Sequence, residues 1–104
     1  MAPGPDEITV ALKELRAEAD RWVRAADVLR SAATALVGRA LPPAAFSFTG
    51  AGVAGIYEDL RTKTFARLSA GAANADAIAT ALRMSADAYE SDEASGAHRM
   101  NRIY

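Results

Sequence analysis

Apolar side chains recur at alternating steps of four and three residues through the first third of the chain. Such a heptad repeat is typical of a helix that packs lengthwise against another helix. No polar residue interrupts the series, so the pattern predicts a long first helix over about residues 6–38 that needs a helical partner. The members of the series are Ile8, Leu12, Leu15, Ala19, Trp22, Ala26, Leu29, Ala33 and Leu36.

A second apolar series follows a connecting segment at residues 39–51. This segment contains two prolines and two glycines, which favour a turn between helices. The series beyond it makes one irregular step, from Thr64 to Leu68, and predicts a second helix over about residues 52–93. Residues 94–104 lack the pattern and are predicted to be a flexible tail. The members of the second series are Val53, Tyr57, Leu60, Thr64, Leu68, Gly71, Ala75, Ile78, Leu82, Ser85 and Tyr89.

Two long helices joined by a short segment predict an all-α, antiparallel helical hairpin, a single domain over residues 1–93. If the connection has its midpoint near residues 46 and 47, facing positions have numbers that sum to about 93, which places Trp22 against Gly71. In this register Tyr89 projects beyond the start of the first helix. The residues expected to pack the hairpin, or a dimer of hairpins, are Leu12, Leu15, Trp22, Leu29, Leu36, Tyr57, Leu60, Leu68, Gly71, Ile78 and Leu82.

One hairpin covers only one side of each helix. Small chains without disulfides or metals rarely bury enough apolar area to stand alone, and this chain has no cysteine. Val10, Ile56 and Phe65 lie beside the central series and would stay exposed in a lone hairpin. The sequence therefore predicts a second hairpin, either another copy or a different protein, that completes a four-helix bundle.

Charge and hydropathy exclude some classes of partner. The 12 basic and 13 acidic residues are mixed along the chain and give a net charge of -1, so no strongly basic segment is available to bind nucleic acid. No apolar run approaches the roughly 18 residues that a membrane span requires. The first residues carry neither a basic leader nor an apolar run, and we expect no cleaved signal peptide.

Residues for catalysis are sparse. His98 is the only histidine, lies in the predicted tail and has no partner at the spacing of a metal site or a catalytic triad. The glycines at 50, 52 and 55 follow no strand and precede no Lys-Ser/Thr pair, so a turn accounts for them better than a phosphate loop. We therefore expect neither enzymatic activity nor a bound metal or cofactor.

Two motifs carry a resemblance to a known family. Phe48-Thr49-Gly50 lies in the predicted turn, and Ala86-Asp87-Ala88-Tyr89-Glu90-Ser91-Asp92-Glu93 ends the second helix. With its length and two helices, the chain resembles the WXG-type substrates of type VII (ESX) secretion over residues 6–93, in particular the alanine-rich, EspC-like branch of actinobacteria. That superfamily carries Trp-x-Gly in the turn. Here Phe48 stands in place of the tryptophan, with Gly50 two residues later.

The resemblance implies an export signal. In this family a Tyr-x-x-x-Asp/Glu motif follows the second helix, and Tyr89 and Glu93 match it on one helical face. Tyr89 also belongs to the packing series, so a purely structural role is the alternative. The resemblance implies a secreted protein without a leader that pairs with another hairpin and is recognised by the type VII machinery. The rival hypotheses are a non-secreted adaptor or chaperone for a secreted effector or toxin, and a self-associating structural homodimer.

Overall fold

The computed structural model describes residues 4–46 and 52–103, and two long helices account for most of them. Helix α1 spans Pro5–Val37, a 3₁₀ turn spans Pro43–Phe46, and helix α2 spans Val53–Ile103. The two helices pack against each other as a hairpin, which confirms the all-α prediction. The prediction of a flexible tail at 94–104 is wrong as far as Ile103, because α2 continues to that residue. Loss of the apolar pattern does not stop a helix where alanine and charged residues favour it and no proline intervenes.

The helices form two compact units, each built from a stretch of α1 and a stretch of α2. Unit 1 comprises residues 1–23 and 76–104, and unit 2 comprises residues 24–75. Unit 1 therefore holds the start of α1 and the later part of α2. Unit 2 holds the end of α1, the connection and the beginning of α2.

Alanine occupies the centre of the contact between the helices. All nine α1 positions of the predicted series are buried or half-buried, and the fully buried ones recur every seven residues. The distance between the axes of two packed helices is usually about 8–10 Å, and methyl side chains at the contact favour the short end of this range. Backbone atoms of the two helices then contribute to the dispersion attraction. The buried apolar residues are Leu12, Ala19, Ala26 and Ala33 of α1, and Ala72, Ala75, Ala79 and Ala86 of α2.

The inner face of α2 differs from the predicted series at five of its eleven positions, because Val53, Leu60, Ile78, Ser85 and Tyr89 are exposed. Leu60 is 63% exposed and Ile78 is 39% exposed, whereas Arg61 and Ala79, one residue later, are half-buried and buried. Close approach of the helices selects small side chains at the centre and turns larger ones outward. Leu60 and Ile78 are therefore not central to the hairpin's own contact, and their role in packing a dimer stays a prediction.

The register between the helices differs by about two turns from the predicted one. In unit 2 Gly71 faces Leu29, because a Cβ atom added to Gly71 would lie 3.3 Å from Leu29 Cδ1. The residue numbers of this facing pair sum to 100, whereas the predicted register gives 93. The predicted partner of Gly71 was Trp22, seven residues before Leu29, and that prediction is wrong. The predicted register assumed a connection with its midpoint near residues 46 and 47, and the apolar repeat does not specify where that midpoint lies.

The closeness of the helix contact makes its buried alanines sensitive to added volume. Ala26, in unit 2, has no exposed surface. We expect Ala26→Leu to lower the free energy of unfolding by about 1–3 kcal/mol, because three extra carbon atoms overpack the contact. The matched control is Ala35→Leu, at an exposed position of the same helix, which should change it by less than about 0.5 kcal/mol. Urea unfolding followed by circular dichroism measures both, and equal effects would contradict the close contact.

Candidate protein-binding surface

The rotation of α2 within unit 2 is fixed by two hydrogen bonds to backbone carbonyls at the end of α1. The Tyr57 hydroxyl donates to the Arg39 carbonyl at 2.8 Å, and Arg61 Nη1 donates to the Leu36 carbonyl at 3.1 Å. The last turn of α1 contains no basic residue, so Arg61 supplies from α2 the positive charge that a helix C-terminus favours. With Tyr57 and Arg61 held inward, neighbouring apolar residues of α2 lie beside the inner face and are exposed.

These outward residues form an apolar row, which we call the outer stripe. It consists of Val53, Ile56 and Leu60, which follow one another at steps of three and four and are 38%, 70% and 63% exposed. The same alternation continues to Lys63 and Arg67, both exposed. The outer stripe is thus an apolar row of unit 2 that leads into two basic side chains.

An apolar groove lies in unit 1 between the start of α1 and the later part of α2. We call it the Tyr89 groove. Its volume is about 240 Å³. Tyr89 lines the groove and is 47% exposed, so this residue also meets solvent. The residues that line the groove are Glu7, Ile8, Ala11, Leu12, Leu15, Ser85 and Tyr89.

The groove corrects the predicted position of Tyr89. The sequence places this ring beyond the start of α1, but the ring lies beside residues 8–15 of α1. The register shift accounts for the difference, because facing residues in unit 1 have numbers that sum to about 103, as Asp20 and Arg83 do. Tyr89 therefore faces α1 two to three turns inside the helix.

Ion pairs between the helices in unit 1 hold the segment of α2 that contains Tyr89. Arg16 donates to Glu90 Oε2 at 3.1 Å and to Asp87 Oδ1 at 3.0 Å, and Arg83 donates to Asp20 Oδ1 at 2.7 Å. The hydrogen bonds to Glu90 and then to Asp87 raise the pKa of the Arg16 guanidinium. Exposed ion pairs contribute little stability one at a time. Their main effect here is to fix the rotation and register of α2 beside the Tyr89 groove.

Of the two motifs that resemble the secretion family, only the one at Tyr89 and Glu93 lies within the described residues. Glu93 is exposed on α2 one turn after Tyr89, as the four-residue spacing predicts. Phe48 and Gly50 lie outside the described residues. Sequence reasoning missed Arg16, Arg61 and Arg83, because their partners lie on the other helix at a register that the sequence pattern does not specify.

Charges that are mixed along the sequence separate between the two units. Unit 1 contains ten acidic and six basic residues, for a net charge of -4, and unit 2 contains three acidic and six basic residues, for a net charge of +3. The hairpin brings acidic residues of the start and end of the chain into unit 1. The two surfaces therefore differ in charge as well as in shape.

The chain exposes more surface than its mass requires. Its accessible area is 7795 Å², whereas a globular monomer of 10.9 kDa exposes about 5,600 Å². The difference of about 2,200 Å² exceeds the roughly 800 Å² that each partner buries in a standard protein interface.

Other kinds of site find no support in the part of the chain that the structure describes. Neither described helix has an 18-residue stretch apolar enough to cross a membrane. Among the described residues no three acidic or histidine side chains are grouped as metal ligands would be. No family model, curated protein or solved structure matches this chain.

The ion pairs of Arg16 should limit local opening of α2 around Tyr89. We expect Arg16→Ala to speed amide hydrogen exchange at residues 87–93 by up to a few-fold, because removing the guanidinium releases Asp87 and Glu90 from α1. The control is Arg21→Ala, which breaks an ion pair to Glu18 on the same helix and should leave exchange in this segment unchanged. Equal exchange in the two variants would mean that Arg16 does not hold α2.

The pair of Glu58 and Arg61 predicts a measurable pH effect. Hydrogen bonds from Arg61 hold the pKa of the Glu58 carboxyl below its ordinary value of 4.5. Because the folded-state pKa is lowered, the pair contributes stability above the unfolded-state pKa and loses it as the pH falls through the folded-state value. A carboxyl titration by NMR should show a low pKa that rises toward the ordinary value in Arg61→Gln. Arg67→Gln, the charge-matched control, should leave it low.

Proposed function

We propose that this protein is a substrate of a type VII secretion system. In this proposal it leaves the cell as a folded helical hairpin, and the export machinery recognises Tyr89 and Glu93. It acts by binding other proteins rather than by catalysis. One observation carries the proposal: Tyr89 lines an apolar groove and is 47% exposed, and Glu93 is exposed one turn later.

The placement of these two residues suits recognition by a receptor. Side chains four residues apart on a helix lie about 5–6 Å apart at Cβ, so one receptor surface can contact both. The groove walls from α1 add apolar contacts beside the ring. A signal of this kind exists only in the folded hairpin, because Ile8 and Leu15 come from the other helix.

The exposed apolar area supports the second part of the proposal, a partner hairpin. The excess accessible area and the outer stripe are the features that a lone hairpin leaves uncovered. An adaptor that stays in the cell and covers the helices of an effector would use the same surfaces. The two proposals differ in the destination of the protein.

Export is the decisive measurement for the signal. We expect Tyr89→Ala and Glu93→Ala each to abolish or strongly reduce the amount of protein in the culture medium while circular dichroism shows an unchanged helix content. Glu14→Ala, which removes an exposed carboxylate of unit 1 that does not line the Tyr89 groove, is the charge-matched control and should be exported normally. Tyr89→Phe keeps the ring and tests whether the hydroxyl is read.

Two outcomes would contradict the proposal. Normal export of both Tyr89→Ala and Glu93→Ala would show that this motif is not the signal. Retention of the unmodified protein in the cell, in a strain that secretes other type VII substrates, would favour the adaptor.

A further inference from the structure

The outer stripe has the form of a helix that inserts apolar side chains into a groove. Val53, Ile56 and Leu60 project from one side of α2 at the three- and four-residue spacing used by helices that bind in grooves. Arg67 and Lys63 extend the same row by two further steps, and Lys63 also forms an exposed ion pair with Asp59 at 2.9 Å. A complementary surface must therefore be apolar at its centre and acidic at its edge.

The Tyr89 groove has these two properties. Six of its seven lining residues are uncharged, and the seventh, Glu7, is acidic. Asp92, three residues after Tyr89 on the same side of α2, is exposed and adds a second carboxylate. The groove volume of about 240 Å³ equals that of about eight molecules of liquid water, at about 30 Å³ each, which is room for aliphatic side chains.

We infer that the outer stripe of one copy of this chain docks in the Tyr89 groove of a second copy. This inference rests on the proposed pairing of hairpins and names the partner as the chain itself. Leu60 and Ile56 enter the groove beside Tyr89, and Lys63 and Arg67 lie near the carboxylates of Glu7 and Asp92.

Charge selects this pairing over the two symmetric alternatives. Groove against groove would bring together two units of net charge -4, and stripe against stripe would bring together two units of +3. Groove against stripe brings opposite charges together. At physiological ionic strength the screening length is about 8 Å, so charges at the edge of the contact still act on each other.

The contact has a consequence for export. A stripe that occupies the Tyr89 groove covers the exposed part of the Tyr89 ring. Self-association and recognition of Tyr89 by a receptor therefore compete for one surface, and the oligomeric form acts as a store from which the export-competent chain is released.

The test uses the purified full chain and two variants that disable opposite sides of the contact. Sedimentation velocity over a concentration series should give species of at least twice the 10.9 kDa chain for the unmodified protein. Leu60→Glu places a charge within the apolar stripe and should weaken association by about tenfold or more. Ala11→Arg fills the groove and repels Lys63 and Arg67, with the same expected effect, while its i,i+4 pairing with Glu7 supports the helix.

Mixing the two variants identifies the contact. Every copy of Leu60→Glu has an altered stripe, and every copy of Ala11→Arg has an altered groove, so neither variant alone can form the contact. An equimolar mixture contains intact grooves on the Leu60→Glu chain and intact stripes on the Ala11→Arg chain. We expect the mixture to associate when neither variant does. Val28→Glu in unit 2 and Met84→Glu in unit 1 are matched controls at exposed apolar positions outside the two surfaces, and both should associate like the unmodified chain.

Each alternative result overturns the inference. The unmodified chain remaining a monomer at all concentrations would show that a different protein covers these surfaces. Association of Leu60→Glu at the unmodified strength would exclude the stripe, and a mixture of folded variants that stays monomeric would exclude stripe-to-groove docking. None of these results bears on secretion of Tyr89→Ala, so the export proposal stands or fails separately.

Discussion

Close contact between two helix backbones through alanine is the constraint on which the remaining structure depends. Methyl groups at the centre let the helices approach, and each small contact adds dispersion energy without the area that leucine would bury. Larger side chains then have no place between the helices and lie at the flanks. The hairpin therefore has a thin interior and extensive apolar surface, which agrees with its excess accessible area.

The two flanks are used differently. In unit 1 one flank carries the ion pairs of Arg16 and Arg83, which tie α2 to α1, and the other carries the Tyr89 groove. In unit 2 the bonds of Tyr57 and Arg61 to α1 carbonyls hold the inner side of α2, and the outer stripe faces away. Polar contacts thus set the orientation of the helices, and the apolar residues that these contacts displace become available for binding.

This division explains why a small chain without a catalytic constellation can still be specific. A groove with one acidic lining residue, a half-exposed aromatic ring and an apolar row with basic neighbours distinguish partners by shape and charge together. The proposed signal at Tyr89 and Glu93 belongs to the same surface. Folding, partner binding and export recognition are therefore linked through the few side chains around Tyr89.

By itself the sequence determined the all-α hairpin, the extent of α1 and its inner face, because the apolar series of α1 fits only one side of a helix. It left the inner face of α2 undecided, since Leu60 or Arg61, and Ile78 or Ala79, satisfy similar spacings in an alanine-rich helix. The tertiary structure alone decided that face, the register, the ion pairs of Arg16 and the position of Tyr89. The physical reason is that these depend on how closely the backbones approach and on which residues of α2 lie opposite which residues of α1, and an apolar repeat specifies neither.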